Sequence, residues 1–142
     1  MHKVGSDPDE FFRAAFDDDV KTGMVRLDAL IREALPGRER SLWEGKFWGG
    51  TDQQIVGYGD IVQPRPRGET VEWFLVGLAR QARHFSVYVN AVDDGAYLLD
   101  QYRDRLGSVK TGAASIAITS LDKVDLDALG EMFRRAHELV DE

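Results

Sequence analysis

The sequence predicts an α+β fold in which a helix, a five-stranded and mainly antiparallel sheet, and a second helix form a sandwich with both main helices on one face. Three observations predict it. Apolar residues recur at helical spacing over residues 24–35 and 126–140. Between these segments lie runs rich in aromatic and β-branched residues, joined by short connections typical of antiparallel strands. Since no helical segment separates the first four runs, a parallel sheet is disfavoured.

The helices have identifiable starts. Asp7 is suited to cap a short helix, since Pro8 follows it at the first helical position, and that helix reaches about Ala15. Together these residues form a short acidic helical extension over residues 1–20. The helix at 24–35 follows next, and Asp125 is expected to cap the last helix.

Five segments are predicted as strands, and a short helix is predicted near residues 97–106 before the fifth. The strands are 42–48, 55–62, 71–80, 84–91 and 115–119. In the fourth, apolar residues alternate with polar ones: Phe85, Val87, Val89 and Ala91 against His84, Ser86, Tyr88 and Asn90. One face of the sheet is therefore expected under the helices, and the other is expected to be polar, aromatic and partly open. The shared core is predicted to contain Leu27, Leu30, Ile31, Phe85, Val87, Ile116, Leu129 and Phe133.

Composition narrows the class of protein. The length of 142 residues fits a single domain over 1–142, and the absence of cysteine excludes disulfides and thiolate metal sites. The net charge of −7 argues against nucleic acid as a partner. The longest apolar run, over residues 73–79, is far shorter than the roughly 20 residues of a membrane-spanning helix. With no apolar leader at the N-terminus, we expect a cytoplasmic protein that does not bind membranes.

Several short segments, in this order and spacing, resemble a known family. They are WEGKF at 43–47, IVGYG at 55–59, FSVYV at 85–89, LGSVKTG at 106–112, SIAI at 115–118 and VDLDAL at 124–129. The similarity is to the YdhG-like family of small bacterial proteins of unknown function, and it runs from about Arg26 to Ala136. The resemblance implies a frataxin-like fold. It also implies a weak iron-binding chaperone whose partners are iron–sulfur cluster assembly proteins, without a tightly bound cofactor.

The resemblance also implies where iron would bind, namely among acids at the first helix. The candidate metal ligands are Asp9, Glu10, Asp17, Asp18 and Asp19. Carboxylates packed closely enough to share a cation suit Fe²⁺. The alternative is that these acids only cap the two N-terminal helices and complement their dipoles.

A second set of residues predicts ligand or partner binding on the open face of the sheet. Its members are Lys46, Trp48, Tyr58, His84 and Tyr88. Exposed aromatic rings combine a large apolar area with a polar tip, as binding surfaces do. The alternatives are that some rings fill the core and that His84 is an ordinary solvent-facing histidine.

Three functions follow from these readings. The first is a non-catalytic, frataxin-like module, and the second is a small-molecule or protein-binding domain that uses the aromatic face. The third is an enzyme with Lys46, Asp60, His84 or Tyr88 as acid or base, but nothing in the sequence assembles these four into a site. No catalytic residue is therefore predicted, and the oligomeric state stays open.

Overall fold

Within the described residues the main sheet has seven strands, so the prediction of five is wrong. The computed structural model describes residues 2–14, 16–47, 51–64 and 68–141, the side chains of residues 47, 51 and 141 excepted. The strands of the main sheet are β1 (His2–Val4), β2 (Arg40–Phe47), β3 (Thr51–Pro64), β4 (Thr70–Arg80), β5 (Phe85–Val89), β8 (Lys110–Thr111) and β9 (Ser115–Ile118). A separate hairpin pairs β6 (Val92–Asp93) with β7 (Ala96–Tyr97).

The order across the main sheet is β1-β2-β3-β4-β5-β9-β8, and every pair is antiparallel. Strands β2 to β5 form the predicted meander, and the mixed α+β class with an antiparallel sheet is confirmed. The sequence missed β1 and β8 because strands of three and two residues are too short to show an alternating pattern. The likeness to frataxin stays a prediction.

Three α-helices lie in the described part of the chain: α1 (Pro8–Ala14), α2 (Asp18–Ala34) and α3 (Leu126–Asp141). The predicted caps are present. The Asp7 carboxylate accepts a hydrogen bond from the backbone N–H of Asp9 at 2.9 Å, and the Asp125 carboxylate accepts one from Ala128 at 3.0 Å.

The helix predicted near residues 97–106 is instead two short 3₁₀ helices, Leu98–Gln101 and Arg103–Arg105. The backbone N–H of Tyr102 donates to Leu99 and that of Arg105 to Tyr102, both three residues back. Leu98, Leu99 and Leu106 are fully buried, so this segment packs into the core although it does not form an α-helix.

The main core lies between the sheet and both long helices. Leu27 and Ile31 of α2, Leu129 and Phe133 of α3, and Val87 of β5 belong to one buried cluster. Every residue that the sequence assigned to the shared core belongs to it or packs against it. Helices α2 and α3 therefore cover the same face of the sheet, and they also contact each other. No helix among the described residues is long and apolar enough to cross a membrane.

The face of the sheet turned away from α2 and α3, which we call the second face, carries a small aromatic cluster. Trp43, Ile55, Phe74 and Ala79 are buried there. The cluster requires glycine beneath it, because a Cβ at Gly77 would come within 2.5 Å of the Phe74 ring. The candidate site lies beside this layer of rings.

Candidate functional site

A cleft of about 520 Å³ opens on the second face of the sheet. It is lined mainly by β5 with its flanking residues and by residues 113–117, which lead into β9 and form most of it. The described lining residues are Gln53, Gln63, Trp73, Gln81, His84, Ser86, Tyr88, Asn90, Tyr97 and residues 113–117. None of them is Asp, Glu, Lys or Arg, so the described lining mixes polar and apolar side chains and bears no carboxylate, ammonium or guanidinium group.

Three lining side chains form a hydrogen-bonded relay. The hydroxyl of Ser86, which is buried, donates to Gln81 Oε1 at 2.8 Å. The Nε2 amide of Gln81 then donates to Gln53 Oε1 at 2.6 Å. Both ends of Gln81 are used, so its side chain is held in one orientation across the strands β3 and β5.

Asn90 is held in place by hydrogen bonds to β4. It follows β5, and its Nδ2 amide donates to the backbone carbonyl of Phe74 at 2.8 Å. Its backbone N–H donates to the carbonyl of Leu75 at 2.9 Å. A side chain and a backbone held by the same strand leave the amide plane of Asn90 little freedom.

The aromatic part of the lining is held by the cluster on the second face. The half-buried Trp73 stacks on Phe74 with ring centroids 4.4 Å apart and planes inclined by 24°. It also meets Trp43 in an edge contact at 5.5 Å. Its parity with Leu75 favours burial of Trp73 in the main core, but the alternation in β4 is interrupted there: Leu75 and Val76 both face the helices.

Burial raises the pKa of the Tyr88 phenol, while hydrogen bonding with Ser86 and Gln81 lowers it, and burial prevails. The phenol is therefore protonated at neutral pH, and it interacts with Ser86 and Gln81 of the relay. His84, just before β5, is half-buried and lines the same cleft. The structure thus brings His84 and Tyr88 together, as their alternation in the sequence indicates.

Tyr58 does not lie on the second face, contrary to its assignment to the open face. It is 1% exposed in the main core, and its hydroxyl donates to Asp28 Oδ1 of α2 at 2.7 Å. The reason is register, because Tyr58 pairs with Arg40 and Val76 and so points toward the helices. Burial is the main cause that raises the pKa of Tyr58 well above its usual value, and the Asp28 charge adds to it.

Lys46 and Trp48 do not join the cleft in the described structure. Lys46 is exposed near the end of β2, opposite Asp52, and by alternation it shares the side of Leu42, which faces the helices. Trp48 lies outside the described residues. Asp60, a possible acid or base, is an exposed residue of β3, and its carboxylate pairs with Lys3 at 2.7 Å.

The acidic residues predicted to bind iron lie on α1 and at the start of α2. Asp9 pairs with Arg40 at 2.9 Å, and the hydrogen bond from that guanidinium is the main cause that lowers the pKa of Asp9. Asp18 and Asp19 occupy the exposed first turn of α2, preceded by Asp17 at its N-cap; Glu10, in the first turn of α1, is also exposed.

No group of three or more His, Asp or Glu side chains among the described residues is placed to hold a metal ion. The assignment of iron to these acids stays a prediction.

Sequence reasoning missed the amide relay. Ser86 and Asn90 were placed on the polar face by alternation, but no role was assigned to them. Gln53 and Gln81 fell in connections between the predicted strands. The register of the β4–β5 hairpin could have indicated Gln81. It pairs Ala79 with Ser86, so Gln81, in the turn, lies close to Ser86 of β5.

Comparison with protein-family models, curated proteins and solved structures gave no match.

Proposed function

We propose that the protein is a non-catalytic binding module whose cleft on the second face takes a small, uncharged, polar molecule. One observation supports the proposal: fixed amide and hydroxyl groups surround a cleft of about 520 Å³ whose described lining contains no Asp, Glu, Lys or Arg side chain. Cavities of roughly 300–1,000 Å³ with a few placed polar groups and aromatic walls are typical of small-molecule sites.

An enzymatic function is less well supported than binding. The four residues considered as acid or base do not converge, since Lys46 and Asp60 lie away from the cleft that His84 and Tyr88 line. Iron delivery for iron–sulfur cluster assembly stays a prediction from the family resemblance alone.

The test is a screen of uncharged polar fragments by amide NMR, with a matched pair of variants. Ala117 lines the cleft, so Ala117→Phe should fill it and abolish the response of Ser86, Tyr88 and Asn90 to the hits. Ala82, exposed in the turn before β5, is the control, and Ala82→Phe should leave that response unchanged. A screen without hits, or equal loss in both variants, would contradict the proposed function.

A further inference from the structure

The relay determines which hydrogen-bonding group Gln53 can offer. A glutamine side chain has one carbonyl oxygen and one amide nitrogen. The oxygen of Gln53 accepts from Gln81, whereas its Nε2 amide makes no hydrogen bond to any residue that the structure describes. Gln53 therefore presents a donor in the wall of the cleft.

Asn90 presents the complementary group. Its Nδ2 amide donates to the carbonyl of Phe74, and nothing in the described ranges of the chain donates to its Oδ1. A molecule in the cleft thus meets a fixed donor at Gln53 and a fixed acceptor at Asn90. Leaving either group unsatisfied on binding would cost affinity, so the ligand needs an acceptor and a donor of its own.

The walls around these two amides are aromatic. Trp73, Tyr88 and Tyr97 line the cleft, and Trp73 is held in place by Phe74 and Trp43. Flat rings pack on aromatic side chains with a favourable stacking energy that adds to burial of apolar area. The edges of nucleobases carry donors beside acceptors, and Asn and Gln amides pair with such edges.

We infer that the ligand of the cleft is a planar, uncharged heterocycle with an amide-like edge, of the kind found in nucleobases and nucleosides. This inference rests on the proposed function and narrows it. The lack of Lys and Arg in the described lining, together with the net charge of −7, disfavours a phosphorylated form of the ligand.

The probes are adenosine, cytidine and uridine, with methyl glucoside as a non-planar polyol and uridine monophosphate as the charged counterpart of uridine. Amide NMR titration should show at least one nucleoside binding with a Kd on the order of 100 µM, the scale expected for a ligand of that size. The affected amides should include Ser86, Tyr88 and Asn90. Methyl glucoside and uridine monophosphate should bind at least about tenfold more weakly than the best nucleoside and uridine, respectively.

Gln53→Glu tests the donor directly, because it replaces the Nε2 amide by an oxygen and keeps the acceptor for Gln81. Nucleoside affinity should fall roughly tenfold or more. The control is Gln54→Glu, which makes the same charge change at an exposed neighbour whose amide donates to Glu44 instead. Melting temperatures of both variants show whether either has lost its fold.

The outcomes separate the two proposals. Three results would overturn the inferred ligand class and leave the binding function standing. They are binding of methyl glucoside when no nucleoside binds, tighter binding of uridine monophosphate than of uridine, and equal effects of Gln53→Glu and Gln54→Glu. No response of the cleft amides to any uncharged probe, including the fragment library, would overturn both.

Discussion

The two faces of the sheet bury their polar groups in opposite ways. On the helix-covered face, Asp28 is 5% exposed, and its carboxylate accepts from Tyr58 at 2.7 Å and from Arg40 at 3.3 Å. Arg40 in turn donates to Asp9 of α1. In the cleft of the second face, the polar groups are amides, hydroxyls and the His84 imidazole, and the Nε2 amide of Gln53 and Oδ1 of Asn90 make no hydrogen bond to a described residue.

The difference fits a structural role for the helix-covered face and the proposed binding role for the second face. A buried charge is tolerated only where its partners are fixed, so the Asp28 group belongs to the part of the molecule that holds α1, α2 and the sheet together. Neutral amides can be exposed or covered by a ligand with a smaller penalty. The second face therefore combines rigidity with unused hydrogen-bonding groups, as a preorganised binding site requires.

The largest expected effect on the free energy of unfolding comes from a substitution on the helix-covered face. Asp28→Ala leaves the buried Tyr58 hydroxyl without its acceptor and removes one of the two carboxylates that pair with Arg40, the other being Asp9. The substitution should lower the free energy of unfolding by about 3–5 kcal/mol. Urea denaturation measures this. Asp18→Ala, in the exposed first turn of the same helix, is the control and should cost less than about 1 kcal/mol. Similar losses in both variants would show that the buried charge has no special role.

A smaller effect is expected beneath the aromatic cluster of the second face. In Gly77→Ala the new methyl group overlaps the Phe74 ring, which Trp43 and Trp73 hold from other sides. The free energy of unfolding should fall by about 1–3 kcal/mol. Gly5→Ala, where a Cβ meets no atom within 4 Å, should be close to neutral. A neutral Gly77→Ala would mean that the cluster is loosely packed and does not fix Trp73.

The two faces should also differ in alkaline solution. The pKa of Tyr58 is raised well above its usual value, and that of Tyr88 is raised in the same direction. Since the unfolded chain releases these protons first, stability should be complete below about pH 10 and fall as the pH rises beyond it.

Tyr58→Phe should remove more of this pH dependence than Tyr88→Phe. Absorbance of the phenolate, recorded alongside urea denaturation, measures both quantities. A larger contribution from Tyr88 would reverse the contrast between the faces.

The smallest expected effect on stability concerns the exposed acids before and within the first turn of α2. Replacing Asp17, Asp18 and Asp19 by Asn keeps their size and capping ability and should change the free energy of unfolding by no more than about 1 kcal/mol in total. If the iron function implied by the family resemblance holds, Fe²⁺ binds the unmodified protein in the micromolar range and broadens these amides first. The triple variant should then bind Fe²⁺ clearly more weakly. Absence of broadening below millimolar iron would leave the acids as caps.

The sequence was sufficient for features that rest on long periodic segments. The stripes of α2 and α3, the meander β2–β5 and the caps Asp7 and Asp125 all follow from local spacing. The sequence was insufficient for features that depend on which strands pair in the folded protein. The short strands β1 and β8 of the main sheet pair with the edges of the longer strands β2 and β9, which their own sequences do not indicate.

The same limit applied to the candidate site. The side on which Tyr58 lies depends on its register with Arg40, and the alternation in β4 shifts at Leu75 and Val76. Tyr58 was therefore assigned to the wrong face, and the parity of Trp73 with Leu75 favoured the wrong face as well, whereas Tyr88 was assigned correctly. The relay could not be predicted either, because it joins Gln53 and Gln81 through side-chain contacts between residues distant in sequence.

The most direct test compares two variants for binding of one uncharged hit from the fragment screen. If the binding site is the cleft of the second face, Ala117→Phe abolishes binding, while the variant with Asn at positions 17, 18 and 19 binds with unchanged Kd. Retained binding in Ala117→Phe together with loss in the triple variant would contradict this assignment, and would move the binding site from the second face to the acidic N-terminal helices.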